Sequence, residues 1–300
     1  MNPVYNIYRD FNYNFVNGPF YKTDKTIKIS NPIKLWDYTI EAPIGIGAGI
    51  LLNSKWVELY SNLGYSVLTY KTVRAYKKKA LSMPNCLFVN YDGGLVTSNM
   101  PSNKNNISIT NHFGIPSQDP EFWMEDVEIS VNKLKKNQIL ILSVFGETRR
   151  ELLRCVEMAA ETPAHAIELN VSCPNVSSDL ILDRNLLIKI RNTVRVPLLI
   201  KVGYPTQEFE NYIKPLLCFI DGLSMINSLK INNISLCGAL LYNKLIEAIK
   251  RYRTITSLPI LAMGGINSKD RVLEVLNLAN VAMFVTAAIF DPLIGSRIFK

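Results

Sequence analysis

Residues 166–175 read AIELNVSCPN. A strand-like apolar run there delivers Asn170, Ser172, Cys173 and Asn175 to one place, and Pro174 ends it. A thiol can serve as a base once neighbouring cations bring its pKa toward neutrality. Carboxamides both donate to and accept from a polar ring. Other apolar runs end in comparable groups: LTYK in Lys71 followed by Thr72, LLIK in Lys201, and MINS in Asn227 and Ser228. Gly264 and Gly265 close a further run, and Thr286 follows the last. Each of these is weak alone. A glycine pair is commonly a turn, and a lone cysteine is commonly an inert buried thiol. The residues gain chemical meaning only if one scaffold gathers them at one mouth, where lysines, amides and a glycine turn would suit a planar polar heterocycle carrying a phosphate.

The scaffold is legible in the spacing. Apolar runs of strand length recur near residues 44–48, 66–72, 138–145, 166–172, 197–203, 219–227, 258–264 and 281–287. They are rich in Val, Ile and Leu without clean alternation, as in strands buried on both faces of a parallel sheet. Amphipathic segments such as SKWVELYSNLG, DPEFWMEDVEISVNKLKK and ETRRELLRCVEMAAE lie between them. Asn267 or Ser268 is placed to cap a further helix. Eight strands alternating with helices predict an α/β fold, a (β/α)8 TIM barrel forming a single domain over residues 1–300. A doubly wound open sheet is the runner-up, but its G-x-G-x-x-G fingerprint is missing; Gly45, Gly47 and Gly49 stand two apart. Residues 1–31 read as an N-terminal extension. The turn-rich stretch 73–120 reads as an insertion after strand two, lying over the face where barrel active sites sit.

Composition narrows the chemistry. With 48% hydrophobic and 19% charged residues, the 300-residue chain can bury a large core. Its five cysteines have no metal spacing, and only His112 and His165 could supplement them, so no metal site is expected. The scatter of the cysteines suits a reducing compartment. The net charge of +8 is spread along the chain apart from Lys77–Lys79, without an aromatic-interleaved patch, so nucleic acid is not expected as a partner. No apolar run reaches the roughly 18 residues of a membrane span, and the N-terminus has no signal-peptide pattern. A cytoplasmic protein without a membrane partner is the expectation.

In order and spacing, APIGIGAG, YKTV, NHFGIP, ELNVSCPN, LLIKVG, INS and MGGI resemble the dihydroorotate dehydrogenase family, FMN-dependent barrels of pyrimidine synthesis. The resemblance covers about residues 32–300, and ELNVSCPN is its most specific piece. It implies oxidation of dihydroorotate to orotate, with a proton leaving one ring carbon and a hydride passing from its neighbour to the flavin. Cys173 falls where the cytosolic branch has its catalytic base. Lys71 would touch flavin and substrate, and Lys201 the flavin's pyrimidine edge. Asn111, Asn170, Asn175, Asn227 and Ser228 would hold a small anionic cyclic substrate, helped by the backbone of Phe113, Gly114 and Ile115. Gly47, Ala48, Gly49, Thr72, Asn170, Ser228 and Gly238 would complete the FMN site, with Gly264, Gly265 and Thr286 at its phosphate and ribityl end.

This chain departs from the family at several points. Val285 replaces a usual glycine, SLCG (235–238) stands where a glycine-richer turn is usual, and the insertion's RAYKKKALSMPNCLFVNYDGG is unlike the short proline-rich segment common in the cytosolic branch. Other readings stay open at this level: an FMN-dependent dehydrogenase or ene-reductase acting on another small cyclic substrate, or a non-catalytic flavin-binding barrel or partner subunit. The electron acceptor, an electron-transfer partner protein and a homodimer are also left open.

Overall fold

A computed structural model describes residues 3–23, 25–90, 96–102, 106–171, 181–231 and 234–299. The chain opens with helix α1 (Phe11–Asn17), capped by the Asp10 carboxylate, which accepts from the Tyr13 amide. A short hairpin follows, β1 (Ile33–Leu35) and β2 (Tyr38–Ile40). Next come β3 (Ile44–Ile46), α2 (Ser54–Asn62) and β4 (Val67–Val73). The long stretch after β4 holds β5 (Phe88–Val89), β6 (Val96–Thr97) and β7 (Ser108–Thr110), and ends at α3 (Pro120–Asn132). Regular alternation resumes with β8 (Ile139–Val144), α4 (Arg149–Ala160), β9 (Ala166–Asn170), α5 (Arg184–Thr193) and β10 (Leu198–Val202). Then come α6 (Gln207–Ile213), β11 (Gly222–Met225), β12 (Leu229–Ile231), β13 (Ile234–Gly238) and α7 (Tyr242–Arg253). The chain finishes with β14 (Ile260–Met263), α8 (Lys269–Leu276), β15 (Val281–Phe284), α9 (Thr286–Phe290) and α10 (Ile294–Ile298).

Strands β3, β4, β8, β9, β10, β11, β14 and β15 close in chain order into a parallel barrel, the (β/α)8 architecture that the spacing predicts. Alternation divides each strand between two cores. Leu140, Leu142, Ile167 and Leu169 face outward to the helices. Ile139, Ile141, Ala166, Leu199 and Val281 face inward and form an apolar floor. The β1–β2 hairpin plugs the barrel at the strand starts. Leu35 and Ile40 join the floor, the Trp36 indole donates to the Asp221 carbonyl at 2.8 Å, and the Tyr38 hydroxyl donates to the His165 carbonyl at 3.2 Å. α8 starts at the predicted cap, with the Ser268 side chain accepting from the Arg271 amide.

Two regions add detail that the spacing does not show. The SLCG segment forms most of β13. It pairs with β7 in the register Leu236↔Thr110, Cys237↔Ile109 and Gly238↔Ser108, within a second, antiparallel sheet ordered β12-β13-β7-β5-β6. The insertion therefore folds by borrowing two strands from the segment after β11. The insertion's own strands span two or three residues each and bury Phe88 and Ile109, too short a pattern to announce itself. The N-terminal extension packs into the outer core. Val4, Tyr5, Ile7 and Phe11 are buried there, the Val4 amide donates to the Ile289 carbonyl at 2.8 Å, and the Asn14 side-chain Nδ2 donates to the carbonyls of Asn6, Arg9 and Asp10. No helix among the described residues is long and apolar enough to cross a membrane.

Because Leu35 fills the floor at the end opposite the strand-end groups, Leu35→Ala should lower stability by about 2–5 kcal/mol, the usual cost of a buried leucine cavity. Chemical denaturation followed by circular dichroism would measure this, and ligand binding at the other end should be unchanged.

Candidate active site

Above the apolar floor the barrel interior turns polar. Glu168 and Asn170 stand two apart on β9, so both face inward, and Lys201 on β10 lies in register with Asn170. Glu168 is 1% exposed and Lys201 5% exposed. The Lys201 ammonium lies 3.7 Å from Glu168 Oε1. A buried cation is tolerated when an anion sits beside it, and removing either partner would strand the other.

Glu168 also anchors a line of hydrogen bonds with a defined direction. Ser143 Oγ donates to Glu168 Oε1 at 2.7 Å. Its hydroxyl proton thus spent, Ser143 must accept from Thr72 Oγ1, 2.9 Å away. Thr72 Oγ1 accepts from Asn170 Nδ2 at 3.0 Å, and Asn170 Oδ1 accepts from Asn227 Nδ2 at 3.1 Å. Asn227 Oδ1 accepts from the Ser228 amide at 2.9 Å, and Ser228 Oγ accepts from Ser235 Oγ at 2.9 Å. The carboxylate thereby sets the orientation of the Asn170 and Asn227 carboxamides, which in isolation could point either way.

A bulge brings β4 into this arrangement. Tyr70 pairs with Leu142 and Val73 with Val144, so Lys71 and Thr72 together stand opposite the single residue Ser143. Tyr70 faces outward, its hydroxyl 2.5 Å from Asp126 on α3, whereas Thr72 faces the barrel interior. Without the extra residue, strict alternation would send Thr72 to the same side as Tyr70.

The polar line borders a cavity of about 360 Å³. Of the residues singled out from the sequence, Gly49, Asn111, Lys201, Asn227, Ser228, Gly238, Gly264, Gly265 and Thr286 line it. Two turns pack against each other on its wall. Gly265 has φ +71°, and a side chain there would meet the Gly238 and Ala239 carbonyls at 2.9 Å, so neither the conformation nor the space admits a Cβ. Arg271 holds the Gly265 carbonyl at 2.7 Å and stacks over Tyr242.

Other predicted residues lie elsewhere. Thr72 and Asn170 belong to the polar line behind the cavity, and Lys71 and Thr72 border a second, smaller hollow beside Phe11 and Ser117. Gly47 and Ala48 do not line the large cavity. The space over Gly47 is filled by Val285 and Met263, and Val285 also stands over Gly49. Phe113 turns its ring onto Tyr5 and Phe11, Gly114 has φ +68°, and Ile115 is buried. Cys173 and Asn175 lie outside the described residues.

Several contributors were not read from the sequence. Glu168 could have been found by strand alternation from Asn170. Ser143 could not, because its role depends on which strands adjoin. Met100, Ile107 and Cys237 reach the cavity only through the second sheet. Asp291 and Arg297, an ion pair at its far end, come from the last turns of the chain.

The Glu168–Lys201 pair makes a specific prediction. Lys201→Met should cost about 3–5 kcal/mol by leaving a buried carboxylate without its cation. Adding Glu168→Gln should recover much of that loss, as read by a double-mutant cycle in urea.

Comparison with known proteins agrees with this geometry. The profile of the family described as dihydroorotate dehydrogenase matches residues 32–300. The chain is 26% identical to a dihydroorotate dehydrogenase of Dictyostelium discoideum, over 98% of this chain and 96% of that one. It is 28% identical to the protein named dihydroorotate dehydrogenase B (NAD(+)), catalytic subunit, of Listeria monocytogenes, over 54% of this chain and 61% of that one. The corresponding protein of Staphylococcus carnosus is 25% identical, over 57% of this chain and 64% of that one. The bacterial matches thus span less than two thirds of those relatives, whereas the Dictyostelium match spans nearly the whole. With the profile covering the barrel from the β1–β2 hairpin to the last residue, the chain belongs to the dihydroorotate dehydrogenase family.

Proposed function

We propose that the protein oxidises dihydroorotate to orotate in pyrimidine biosynthesis, with FMN as its cofactor. The observation that carries this reading is the directed hydrogen-bond line from Asn227 through Asn170 to Glu168, beside Lys201 and on the wall of a cavity of about 360 Å³. That volume falls within the roughly 300–1,000 Å³ of small-molecule sites. The residues present fit the cofactor at both ends. The Gly264–Gly265 and Gly238 turns, with Thr286, offer a close backbone approach suited to a phosphate, and Lys201 offers a cation to the polar edge of a ring.

When bound, FMN would supply the acceptor for the hydride that the substrate gives up. The chain's own groups would do the rest. Asn111, Asn170 and Asn227 would hold the cyclic imide, whose alternating donors and acceptors match carboxamides of fixed orientation. Lys71 and Lys201 would supply positive charge to an anionic substrate and to the ring edge. Cys173, assigned by its place in ELNVSCPN, would take the proton from the ring carbon next to the one losing hydride.

The test is an orotate-formation assay with dihydroorotate and an artificial electron acceptor. Wild-type protein should produce orotate. Cys173→Ala should retain orotate binding while kcat falls by about 10²–10⁴-fold, the usual contribution of a positioned base. Absence of turnover by wild-type protein loaded with FMN would refute the assignment, and an unimpaired Cys173→Ala variant would remove the cysteine from it.

A further inference from the structure

Arg74 follows the β4 bulge and is only 1% exposed, yet it lines neither of the two cavities described above. Its guanidinium is committed on several sides. Nε donates to the Ile115 carbonyl at 2.8 Å, and Nη1 donates to Glu147 Oε1 at 2.6 Å and to the Tyr76 hydroxyl at 3.1 Å. The group lies 4.7 Å from the centroid of the Phe145 ring. Its main chain is held as well: the Arg74 amide donates to Ser117 Oγ at 3.0 Å, and its carbonyl accepts from the Trp123 indole at 3.1 Å.

These contacts converge on the segment that runs from Asn111 to Ser117. Asn85 Nδ2 donates to the His112 carbonyl at 3.0 Å, the Leu81 amide donates to the Phe113 carbonyl at 3.0 Å, and Arg74 takes the Ile115 carbonyl. In a trans peptide the N–H points opposite to the C=O. Holding the His112 and Phe113 carbonyls from the insertion side therefore turns the Phe113 and Gly114 amides the other way. Arg74 fixes the peptide after Ile115, so the Gly114–Ile115 peptide is held between two anchored neighbours.

We propose that Arg74 is a positioning residue for substrate: it fixes the 111–115 segment, whose Phe113, Gly114 and Ile115 backbone the family resemblance already assigns to the anionic substrate. This inference rests on the reading of the preceding subsection. A planar group that bonds in two directions while stacking on a ring is needed here, which lysine cannot reproduce.

The experiment compares wild type with Arg74→Lys and Arg74→Gln, all loaded with FMN. It reads KM and kcat for dihydroorotate, and the dissociation constants of orotate and of uracil, which lacks the carboxylate, from perturbation of the flavin spectrum. Both variants should keep their flavin and their kcat, while KM and the orotate constant rise about tenfold, the loss of about one good hydrogen bond. The uracil constant should stay level. If orotate and uracil weaken together, or neither changes, Arg74 is only structural and the proposal is overturned. If Arg74→Gln does not fold, Arg74→Lys carries the comparison. Wild-type protein that binds flavin but neither orotate nor dihydroorotate would instead overturn the functional reading beneath it.

Discussion

A lysine ammonium held inside a barrel needs an anion, and the Lys201–Glu168 pair answers that constraint. Glu168 does more than neutralise. By accepting from Ser143 it forces Thr72 to donate, Asn170 to present its amide nitrogen to Thr72, and Asn227 to follow. One buried carboxylate thus orders groups on four barrel strands and on the segment after a fifth. The apolar floor beneath, closed by Leu35 and Ile40, fills the barrel at the strand starts with apolar side chains.

The cover over that end has two sources. The insertion after β4 contributes β5, β6 and β7, and the segment after β11 contributes β12 and β13. Each set pairs internally, and the β13–β7 pairing joins them into one sheet; strands of two to five residues gain stability from that union. Their union ties Asn111 to Ser235 through a backbone hydrogen bond of 2.8 Å and so links the segment after β7 to the polar line. The N-terminal residues complete the assembly by packing Tyr5 and Phe11 against Phe113.

Much of this was legible in the chain, for physical reasons. Strands buried on both faces leave long Val, Ile and Leu runs, so all eight barrel strands were found within a few residues of their ends, and Ser268 was readable as a cap. Strand-end groups were recoverable because a barrel maps run ends onto one mouth; Lys201, Asn227, Ser228 and Gly265 meet there as expected. What was not legible depended on contacts distant in sequence. The strand formed by SLCG is set by its partner β7, more than a hundred residues away. Gly47 stays off the wall of the large cavity because Val285 and Met263 stand over it. The bulge that sets both Lys71 and Thr72 opposite Ser143 has no mark of its own in YKTV.

The most direct test of the account is an anaerobic titration of the purified protein with dihydroorotate, followed in the visible spectrum. The account predicts a protein that carries FMN, or takes it up on incubation, and whose flavin absorbance bleaches as dihydroorotate is added. A flavin that stays oxidised would contradict the substrate assignment. A protein that remains colourless after incubation with FMN would contradict the cofactor site itself.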